Sequence, residues 1–487
     1  MMAAFTQDWI NWINHNVSNG CDKNGIFRIL LDEGFDYQQI KQQMNFEPLV
    51  AVEKIINPLK AKEQEQEQQR QAERYAADNS TLKGAASEDI FLPNAFQLDS
   101  NLADVHVIDN FLNADECARI IELIEQMKRP SLMVNHEKKD SSFRTSSTCD
   151  LGKLDDPFIN EIDERICKMM GIDPSYSEPL QGQHYEVGQE FKPHTDYFEA
   201  DETAHMDNGR GQRTFTFFIN LNDVEEGGTT YFPRLDYDHQ PRLGTAIIWN
   251  NLLPSGEVNY NTLHQGKPVL KGTKAIITKW FRSGGQGPMF TKTPSEKVQN
   301  YTAVGFEKSR LPADLYQRIL DFYHSNQANH VEEFVEGDFI NGKEAKGDSK
   351  AKQAPSSLLD LPDELKQQVH DYMKPALEEW AETRLEPTYV YGIRTYHDGA
   401  RLKTHRDRIN THIISCIINV HQEVEEDWPL QIEDNFYRKH EVILAPGEVV
   451  FYESARLDHG REIPLKGKAF ANIFCHFKPV DYVPPVR

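Results

Sequence analysis

The feature that most constrains this chain is the triplet His194-Thr195-Asp196, followed by a distal His264. On an extended chain, alternate side chains point the same way, so His194 and Asp196 can converge on one metal ion. A second triplet, His205-Met206-Asp207, lies in an acidic, glycine-flanked stretch and is interpreted as surface. The first triplet therefore predicts a metal site completed by His264.

The residues around the first triplet alternate as strands do. Strands are predicted over residues 183–187, 215–221, 229–233, 244–249 and 274–281. In the last of these, a period of two places Lys274, Ile276, Thr278 and Trp280 on one face. Lys274 can then enter a mostly apolar pocket and pair with the far carboxylate of a dicarboxylate co-substrate. Two histidines and one carboxylate leave the other metal positions open, as in non-haem Fe(II) oxygenases.

These residues resemble the prolyl 4-hydroxylase family of 2-oxoglutarate oxygenases over about residues 106–283. The matching segments are 144–147, 185–189, 192–198, 221–228, 232–233 and 264–282. The resemblance implies that His194, Asp196 and His264 are the catalytic ligands of Fe(II). It also implies that Lys274 and Tyr185 bind 2-oxoglutarate, with O2 as the second co-substrate and ascorbate as a candidate reductant.

The resemblance further implies that Arg144 and Ser146 belong to a substrate-side loop. Tyr197 and Trp280 are interpreted either as aromatic walls for a prolyl ring or as core residues, because aromatic side chains at strand spacing often pack in cores. The implied fold is mainly β with flanking helices. It is a double-stranded β-helix, or jelly roll, with helices packed on one side.

The activity implied is 4-hydroxylation of prolyl residues in a peptide or protein, with decarboxylation of 2-oxoglutarate to succinate and CO2. Two alternatives remain open. The protein could be a peptide-binding adaptor built on a degenerate oxygenase scaffold. It could also be an oxygenase that acts on a free amino acid or another small molecule.

The C-terminal part of the chain repeats the same order of features. Tyr396 precedes His405 by the interval that separates Tyr185 from His194. His405-Arg406-Asp407 repeats the triplet, and a distal histidine follows it. The repeat predicts a second double-stranded β-helix with its own potential metal ligands, which are His405, Asp407 and His459.

The repeat departs from the first copy at the co-substrate anchor. By spacing, the position that matches Lys274 is Ala469, while Lys468 would face the other side of its strand. Arg461 is a candidate substitute anchor. Three interpretations remain open: a second oxygenase with a different anchor, a metal-holding but inactive barrel, and a scaffold for dimerisation and substrate docking.

The expected organisation has five parts. They are a small helical module (1–57), a polar linker or helix (58–104), the catalytic β-helix (105–283), a linker (284–300) and the second β-helix with a helical N-terminal part (301–487). The first module either resembles a ubiquitin-associated three-helix unit or is an appendage packed on the main body. Within the larger parts, helices are predicted over about 114–127, 157–170, 312–324 and 362–384.

Composition narrows the functional classes. The 487 residues are 39% hydrophobic and contain no apolar run that approaches a membrane span. Six scattered cysteines and the absence of a secretory signal in residues 1–10 favour reduced thiols and a cytoplasmic location. A net charge of −23 argues against nucleic-acid binding. The expected partner is therefore a proline-containing peptide or protein, with no nucleic acid and no membrane; the oligomeric state is not predicted.

Overall fold

The computed structural model describes residues 5–48, 51–52, 55, 57–58, 60, 90–131, 143–199, 209–333, 339–342 and 355–485. The chain divides into two compact units, Met1–Lys83 and Gly84–Arg487. Most of the predicted polar linker or helix, residues 61–89, lies outside the described residues, and so does the triplet His205–Asp207. None of the described helices combines the length and apolar character that crossing a membrane requires.

The described part of the first unit contains three short helices around a core of its own. They are α1 (Gln7–Ser18), α2 (Lys23–Asp32) and α3 (Tyr37–Met44). Asp36 caps α3 by accepting hydrogen bonds from two backbone N–H groups, which confirms the predicted helix start. Phe27, Leu30 and Ile40 are fully buried at the centre of this unit.

The first half of the second unit is built from short strands. They are β1 (Ala95–Gln97), β2 (Val105–Ile108), β3 (Arg129–Pro130), β4 (Ser147–Cys149), β5 (Gln181–Tyr185), β6 (Phe191–His194), β7 (Arg213–Asn220), β8 (Glu226–Gly227), β9 (Thr230–Phe232), β10 (Tyr237–His239), β11 (Ala246–Asn250), β12 (His264–Gly266), β13 (Val269–Lys271) and β14 (Lys274–Arg282). The large sheet has the order β1-β2-β11-β7-β14-β5-β4-β3. A smaller sheet has the order β10-β9-β12-β6, and β13 pairs with β8.

Two helices cover one face of the large sheet. They are α4 (Ala114–Met127) and α5 (Pro157–Met170), and both were predicted from the sequence. Asn113 and Glu116 form the reciprocal capping box expected at the start of α4. Ile124 of α4 packs so closely on β5 that a Cβ at Gly182 would lie 2.6 Å from its side chain. The helices therefore cover the outer face of this sheet.

The inner face of the large sheet forms a second core. Because side chains alternate along a strand, Ile277 points toward the helices while its neighbour Ile276 points the other way. Phe218, Trp249 and Ile276 pack there together with Phe232 of the smaller sheet. The predicted metal ligands lie at this inner face, between the two sheets.

The second half of this unit contains another pair of sheets. Its helices are α6 (Ala313–Ser325) and α7 (Asp363–Trp380). Its strands are β15 (Phe306–Arg310), β16 (Val331–Glu333), β17 (Ile340–Asn341), β18 (Ser356–Leu359), β19 (Leu385–Val390), β20 (Ile393–Tyr396), β21 (Arg401–His405), β22 (Ile414–Val424), β23 (Leu430–Glu433), β24 (Lys439–Val442), β25 (Glu448–Tyr452), β26 (His459–Arg461) and β27 (Gly467–Pro479). The larger sheet has the order β15-β25-β22-β27-β20-β18-β16, with β19 also paired to β27, and the other has the order β17-β21-β26-β23-β24.

Helix α7 ends earlier than the sequence predicts. It stops at Trp380 rather than near Arg384, because Glu382 adopts a positive φ of 49° and β19 begins at Leu385. A positive φ breaks the helical backbone conformation. The remaining helix bounds agree with the predictions to within a residue or two.

The two pairs of sheets pack into one unit. Phe436 and Tyr437, in the loop between β23 and β24, are buried in the core formed by α4, α5 and the first large sheet. Lys168 of α5 forms an ion pair with Glu433 at 2.8 Å. The segment predicted as a linker is also built into the structure, since Lys292 donates a hydrogen bond of 2.6 Å to the Met169 carbonyl. The unit as a whole is mainly β with flanking helices, as predicted.

Candidate metal centre and co-substrate pocket

The first triad comes together through strand pairing. Antiparallel β6 and β12 place His194 directly opposite His264, and Asp196 follows His194 by two residues. One ligand atom from each of the three side chains lies within 4.8 Å of the others. The strand register therefore brings the three predicted ligands together at one point.

Backbone carbonyls fix the tautomers of the two imidazoles. Nδ1 of His194 lies 2.8 Å from the Lys192 carbonyl oxygen, and Nδ1 of His264 lies 2.9 Å from that of Thr262. A carbonyl oxygen only accepts, so each Nδ1 carries the hydrogen and each Nε2 keeps a free lone pair. Burial, followed by the neighbouring His264, lowers the pKa of His194 to about 3. The ring is therefore neutral, as a metal ligand must be.

A chain of buried polar groups orients the carboxylate ligand. Thr216 Oγ1 donates to Asp196 Oδ2 at 2.7 Å and accepts from Asn251 Nδ2 at 3.0 Å. Trp249 Nε1 in turn donates to Asn251 Oδ1 at 3.0 Å. Burial raises the pKa of Asp196, but the imidazoles of His264 and His194 outweigh it, so the pKa lies below its ordinary value. Groups behind a ligand fix its orientation and strengthen metal binding.

Sequence reasoning missed Thr216, Asn251 and Thr230. The one available indication was Thr216, a polar residue inside the apolar run from Phe215 to Leu221. Its register places it on the face toward the cavity, directly opposite Trp280.

Lys274 is a buried cation beside the triad. It lies directly opposite Tyr185 on the neighbouring strand and is only 2% exposed. Its Nζ is 3.2 Å from Thr230 Oγ1, and no carboxylate among the described residues forms an ion pair with it. Burial lowers the pKa of Lys274 to about 7. An unpaired buried ammonium is costly, so the site is suited to a carboxylate ligand.

The same cavity contains the triad and the lysine. It is lined by Gln183, Tyr185, Phe191, His194, Asp196, Phe218, Thr230, Trp249, His264, Gly266, Lys274, Ile276, Thr278 and Trp280. Its volume of about 30 Å³ is close to that of one or two water molecules. The donor set fits Fe(II), and the lysine fits the far carboxylate of 2-oxoglutarate.

The residues predicted to face the substrate lie in different places. Trp280 lines the cavity. Tyr197 and Ser146 are each 2% exposed and do not line it. Arg144 lies 4.9 Å above the Phe191 ring and donates to Ser146 Oγ at 3.3 Å. Of these four residues, Trp280 alone lines the cavity.

The second triad has the same construction. His405 lies directly opposite His459, and their Nε2 atoms are 3.6 Å and 3.9 Å from Asp407 Oδ1. Their Nδ1 atoms lie 2.8 Å and 2.9 Å from the carbonyl oxygens of Lys403 and Leu457. Both Nε2 atoms are therefore free to bind a metal, as in the first triad.

The predicted match between Lys274 and Ala469 is wrong. Lys274 pairs with Tyr185, whereas the corresponding Tyr396 pairs with Phe470. Ten positions separate His264 from Lys274, and eleven separate His459 from Phe470, so the connecting loop is one residue longer in the second half. Counting an equal interval from the distal histidine therefore selected Ala469, whereas the structural counterpart of Lys274 is the next residue, Phe470.

Two imidazoles, one carboxylate and a buried lysine in a shared cavity define a non-haem Fe(II) site with a dicarboxylate pocket. Residues 180–282 match the family model described as the 2OG-Fe(II) oxygenase superfamily. The chain is 36% identical over 200 residues to "Probable prolyl 4-hydroxylase 3" of Arabidopsis thaliana, covering 37% of this chain and 69% of that protein. The chain therefore belongs to the prolyl 4-hydroxylase family.

Other relatives match over a smaller share of their length. The chain is 35% identical over 174 residues to "Prolyl 4-hydroxylase subunit alpha-1" of Gallus gallus, covering 34% of this chain and 34% of that protein. The match thus spans about a third of that relative. A solved viral collagen prolyl hydroxylase from Paramecium Bursaria Chlorella virus-1, in complex with 2OG, is 27% identical with a TM-score of 0.30, covering 37% of this chain and 95% of that chain.

Proposed function

We propose that this protein is an Fe(II)- and 2-oxoglutarate-dependent dioxygenase that hydroxylates prolyl residues of a peptide or protein at the 4-position. The observation that carries the proposal is the position of Lys274 in the cavity of the His194, Asp196 and His264 triad, a buried cation with no carboxylate partner among the described residues. Family membership supports both the reaction type and the prolyl target.

When bound, iron and 2-oxoglutarate supply the oxidising chemistry, in which 2-oxoglutarate becomes succinate and CO2 and one oxygen atom of O2 enters a substrate C–H bond. His194 and His264 present their Nε2 atoms, and Asp196 presents a carboxylate held by Thr216. Lys274 pairs with the far carboxylate of the co-substrate and thereby sets its direction in the cavity.

The rest of the cavity excludes water. Phe218, Trp249 and Ile276 form its apolar wall, and each is less than a tenth exposed. Tyr185 Oη donates to Gln183 Oε1 at 2.7 Å, which holds its ring beside Lys274. A dry wall strengthens the pairing between the lysine and a carboxylate, because water competes less for both charges.

Trp280 is the proposed wall for the substrate ring. The Arg213 guanidinium stacks 4.0 Å from the Trp280 ring, and Glu178 holds Arg213 through two hydrogen bonds of 2.8 Å. This stack fixes the plane of the indole. A fixed aromatic face can orient the apolar ring of a prolyl residue.

We further propose that the second half is another double-stranded β-helix, and that the protein acts in the cytoplasm. The fold proposal rests on matched local geometry. The N–H of Gly244 donates to the Asn220 carbonyl at 2.9 Å, and the N–H of Gly447 donates to the Asn419 carbonyl at 2.8 Å. Both glycines adopt positive φ, of 71° and 81°, at the same turn before a strand. The cytoplasmic location rests on the free cysteines.

The test supplies the protein with Fe(II), 2-oxoglutarate, O2 and ascorbate, together with peptides that differ only by proline or alanine at one position. The expected result is succinate formation coupled to a gain of one oxygen atom by the proline peptide alone. Amino-acid analysis should then identify 4-hydroxyproline. Oxidation of the alanine peptide, or of free proline in preference to peptides, would overturn the proposal.

A further inference from the structure

The second triad lies on the wall of a larger cavity. This cavity has a volume of about 250 Å³ and is lined in part by Arg394, Tyr396, His405, Asp407 and His459. With metal–ligand bonds of roughly 2.1 Å, the separations of 3.6 Å and 3.9 Å from Asp407 Oδ1 to the two Nε2 atoms suit one bound ion. The open side of such an ion faces the cavity.

A hydroxyl residue behind the second triad takes the strand position of Thr216 but has different hydrogen-bond partners. Ser415 occupies the position of Thr216. Each lies four residues before an asparagine, Asn419 or Asn220, whose carbonyl accepts a hydrogen bond from the N–H of a turn glycine. Ser415 Oγ lies 2.7 Å from Ser454 Oγ and 2.7 Å from His476 Nδ1. The carbonyl of Ser454 accepts from the N–H of Asp407 at 2.9 Å. This support therefore holds the backbone of Asp407, while Oδ2 of its carboxylate has no hydrogen-bond partner among the described residues.

The packing of the distal histidine is also repeated. The His264 ring lies 4.8 Å from the Trp249 ring at 63°, and the His459 ring lies 4.9 Å from the Tyr452 ring at 76°. An aromatic neighbour in the same edge-on arrangement holds each imidazole. Side chains that merely cluster by chance have no reason to share both tautomers and ring packing.

The position of the buried cation differs between the two halves. Phe470 fills the strand position of Lys274, and the guanidinium carbon of Arg461 lies 4.6 Å from the Phe470 ring and 4.7 Å from the Trp428 ring. Arg461 follows His459 by two residues, at the position that Gly266 occupies after His264. The second half thus carries its cation on the strand of the distal histidine.

Arg461 is buried, and one of its guanidinium nitrogens makes no hydrogen bond to the described residues. It is 2% exposed, and it lies opposite Leu402, which lines the cavity. One Nη donates to the Trp428 carbonyl, while Nη2 has no hydrogen-bond partner among the described residues. A buried guanidinium without a carboxylate partner is costly unless a ligand supplies one.

Arg394, a partly buried arginine that lines the cavity, differs in this respect. Arg394 makes a two-pronged ion pair with Glu333 at 2.6 Å and 2.7 Å. Its charge is therefore compensated within the protein. Of these two arginines, only Arg461 has no carboxylate partner among the described residues, so it can pair with a ligand.

We propose that the second cavity binds a divalent metal ion through His405, Asp407 and His459, together with a small 2-oxo acid whose far carboxylate pairs with Arg461. The open positions of the ion suit the 2-oxo acid group. The planar guanidinium suits the carboxylate, which it can bind through two parallel hydrogen bonds. This site is separate from the proposed prolyl hydroxylase site and does not depend on it.

The test uses Mn²⁺ and 2-oxoglutarate on full-length protein under conditions without turnover. Calorimetry should find two Mn²⁺ ions per chain in the wild type, one in His194→Ala, one in His405→Ala and none in the double variant. In a His194→Ala/Lys274→Met background, which lacks the first site, 2-oxoglutarate should still bind when Mn²⁺ is present. Adding Arg461→Met should weaken that binding at least about thirtyfold, the loss expected for a charged hydrogen-bonded pair, without changing the Mn²⁺ count.

Arg461→Lys and Lys468→Met serve as controls. Arg461→Lys keeps the charge and should retain part of the affinity, which separates lost pairing from misfolding. Lys468 is exposed and pairs with Glu423, so its loss should change nothing. One Mn²⁺ ion in the wild type would overturn the proposed metal site. Two ions without binding of 2-oxoglutarate in the first-site-deficient background would overturn the proposed acid pocket.

Discussion

The two triads place their metal-ligand side chains in the same way but take their cations from different strands. In the first, Lys274 stands on β14 and Gly266 leaves space beside the distal histidine. In the second, Phe470 occupies the β27 position and Arg461 on β26 supplies the charge. Strand register fixes the ligands, because all three must meet at one point. A long cationic side chain needs only to bring its charged end to the pocket, so its Cα can lie on either strand.

The cavities differ in volume and in one of the side chains that line them. The first cavity measures about 30 Å³ and the second about 250 Å³. Trp280 lines the first, whereas His476 takes the corresponding place in the second, opposite Ser415. The second cavity is therefore wider and richer in imidazole.

The largest expected effect comes from removing the first cation. Lys274→Met leaves the far carboxylate of 2-oxoglutarate buried without a partner, which costs about 3–5 kcal/mol. The KM for 2-oxoglutarate should rise at least about a hundredfold in a succinate assay, by the usual conversion of free energy to affinity. Lys468→Met, at the exposed neighbour of the predicted counterpart, is the matched control. A similar loss in both variants would contradict the assignment of Lys274.

A smaller effect is expected from the groups behind each carboxylate. Thr216→Val removes the hydrogen bond to Asp196 and should weaken Mn²⁺ binding at the first site about 10–100-fold. Ser415→Ala removes contacts to Ser454 and His476 rather than to the carboxylate of Asp407, so it should have a smaller effect, at the second site alone. Titrations in His405→Ala and His194→Ala backgrounds separate the two sites. If one substitution weakened Mn²⁺ binding equally at both sites, the effect would not come from the hydrogen bonds beside one metal ligand, which would contradict this prediction.

The smallest expected effect is a difference in pH dependence. Burial lowers the pKa of Lys274 to about 7, so the empty first site loses its charge as the pH rises through 7. Binding of a carboxylate must then take up a proton, and affinity should fall up to about tenfold per pH unit above 7 and be flat below it. Tyr185, which faces Lys274, stays neutral in this range because burial raises its pKa.

Calorimetry of 2-oxoglutarate binding between pH 6 and 8.5 measures this dependence. Lys274→Arg keeps the charge and should give a flat profile. The second site, with its guanidinium, should also be flat over this range. A first-site affinity that is independent of pH would show that the ammonium keeps its proton in the empty cavity.

Much of the fold could be predicted from local patterns. The capping residues Asn113 and Glu116 fix the start of α4, and the period of two on β14 correctly assigns Lys274 and Trp280 to the cavity face. The first triad followed from its motifs and the family resemblance, and the second from the repeated order of features; in the structure each is set by a single strand pairing. These features depend on neighbours in sequence or on one register.

Other features could not be predicted because they depend on contacts distant in sequence. The Thr216–Asn251 hydrogen bond joins two strands whose register is not apparent from either one. The longer loop after His459 shifted the counterpart of Lys274 to Phe470. The burial of Phe436 in the first core also had no local sign, since apolar residues in a turn can face solvent or a neighbouring domain.

The most direct test of the proposed prolyl hydroxylase site compares three proteins in one assay. Wild type, His194→Ala and His405→Ala are given Fe(II), 2-oxoglutarate, O2 and the proline peptide, and succinate and hydroxylated peptide are counted together. The account predicts that His194→Ala yields no hydroxylated peptide and that His405→Ala yields as much as the wild type. Peptide hydroxylation that survives in His194→Ala and disappears in His405→Ala would contradict it.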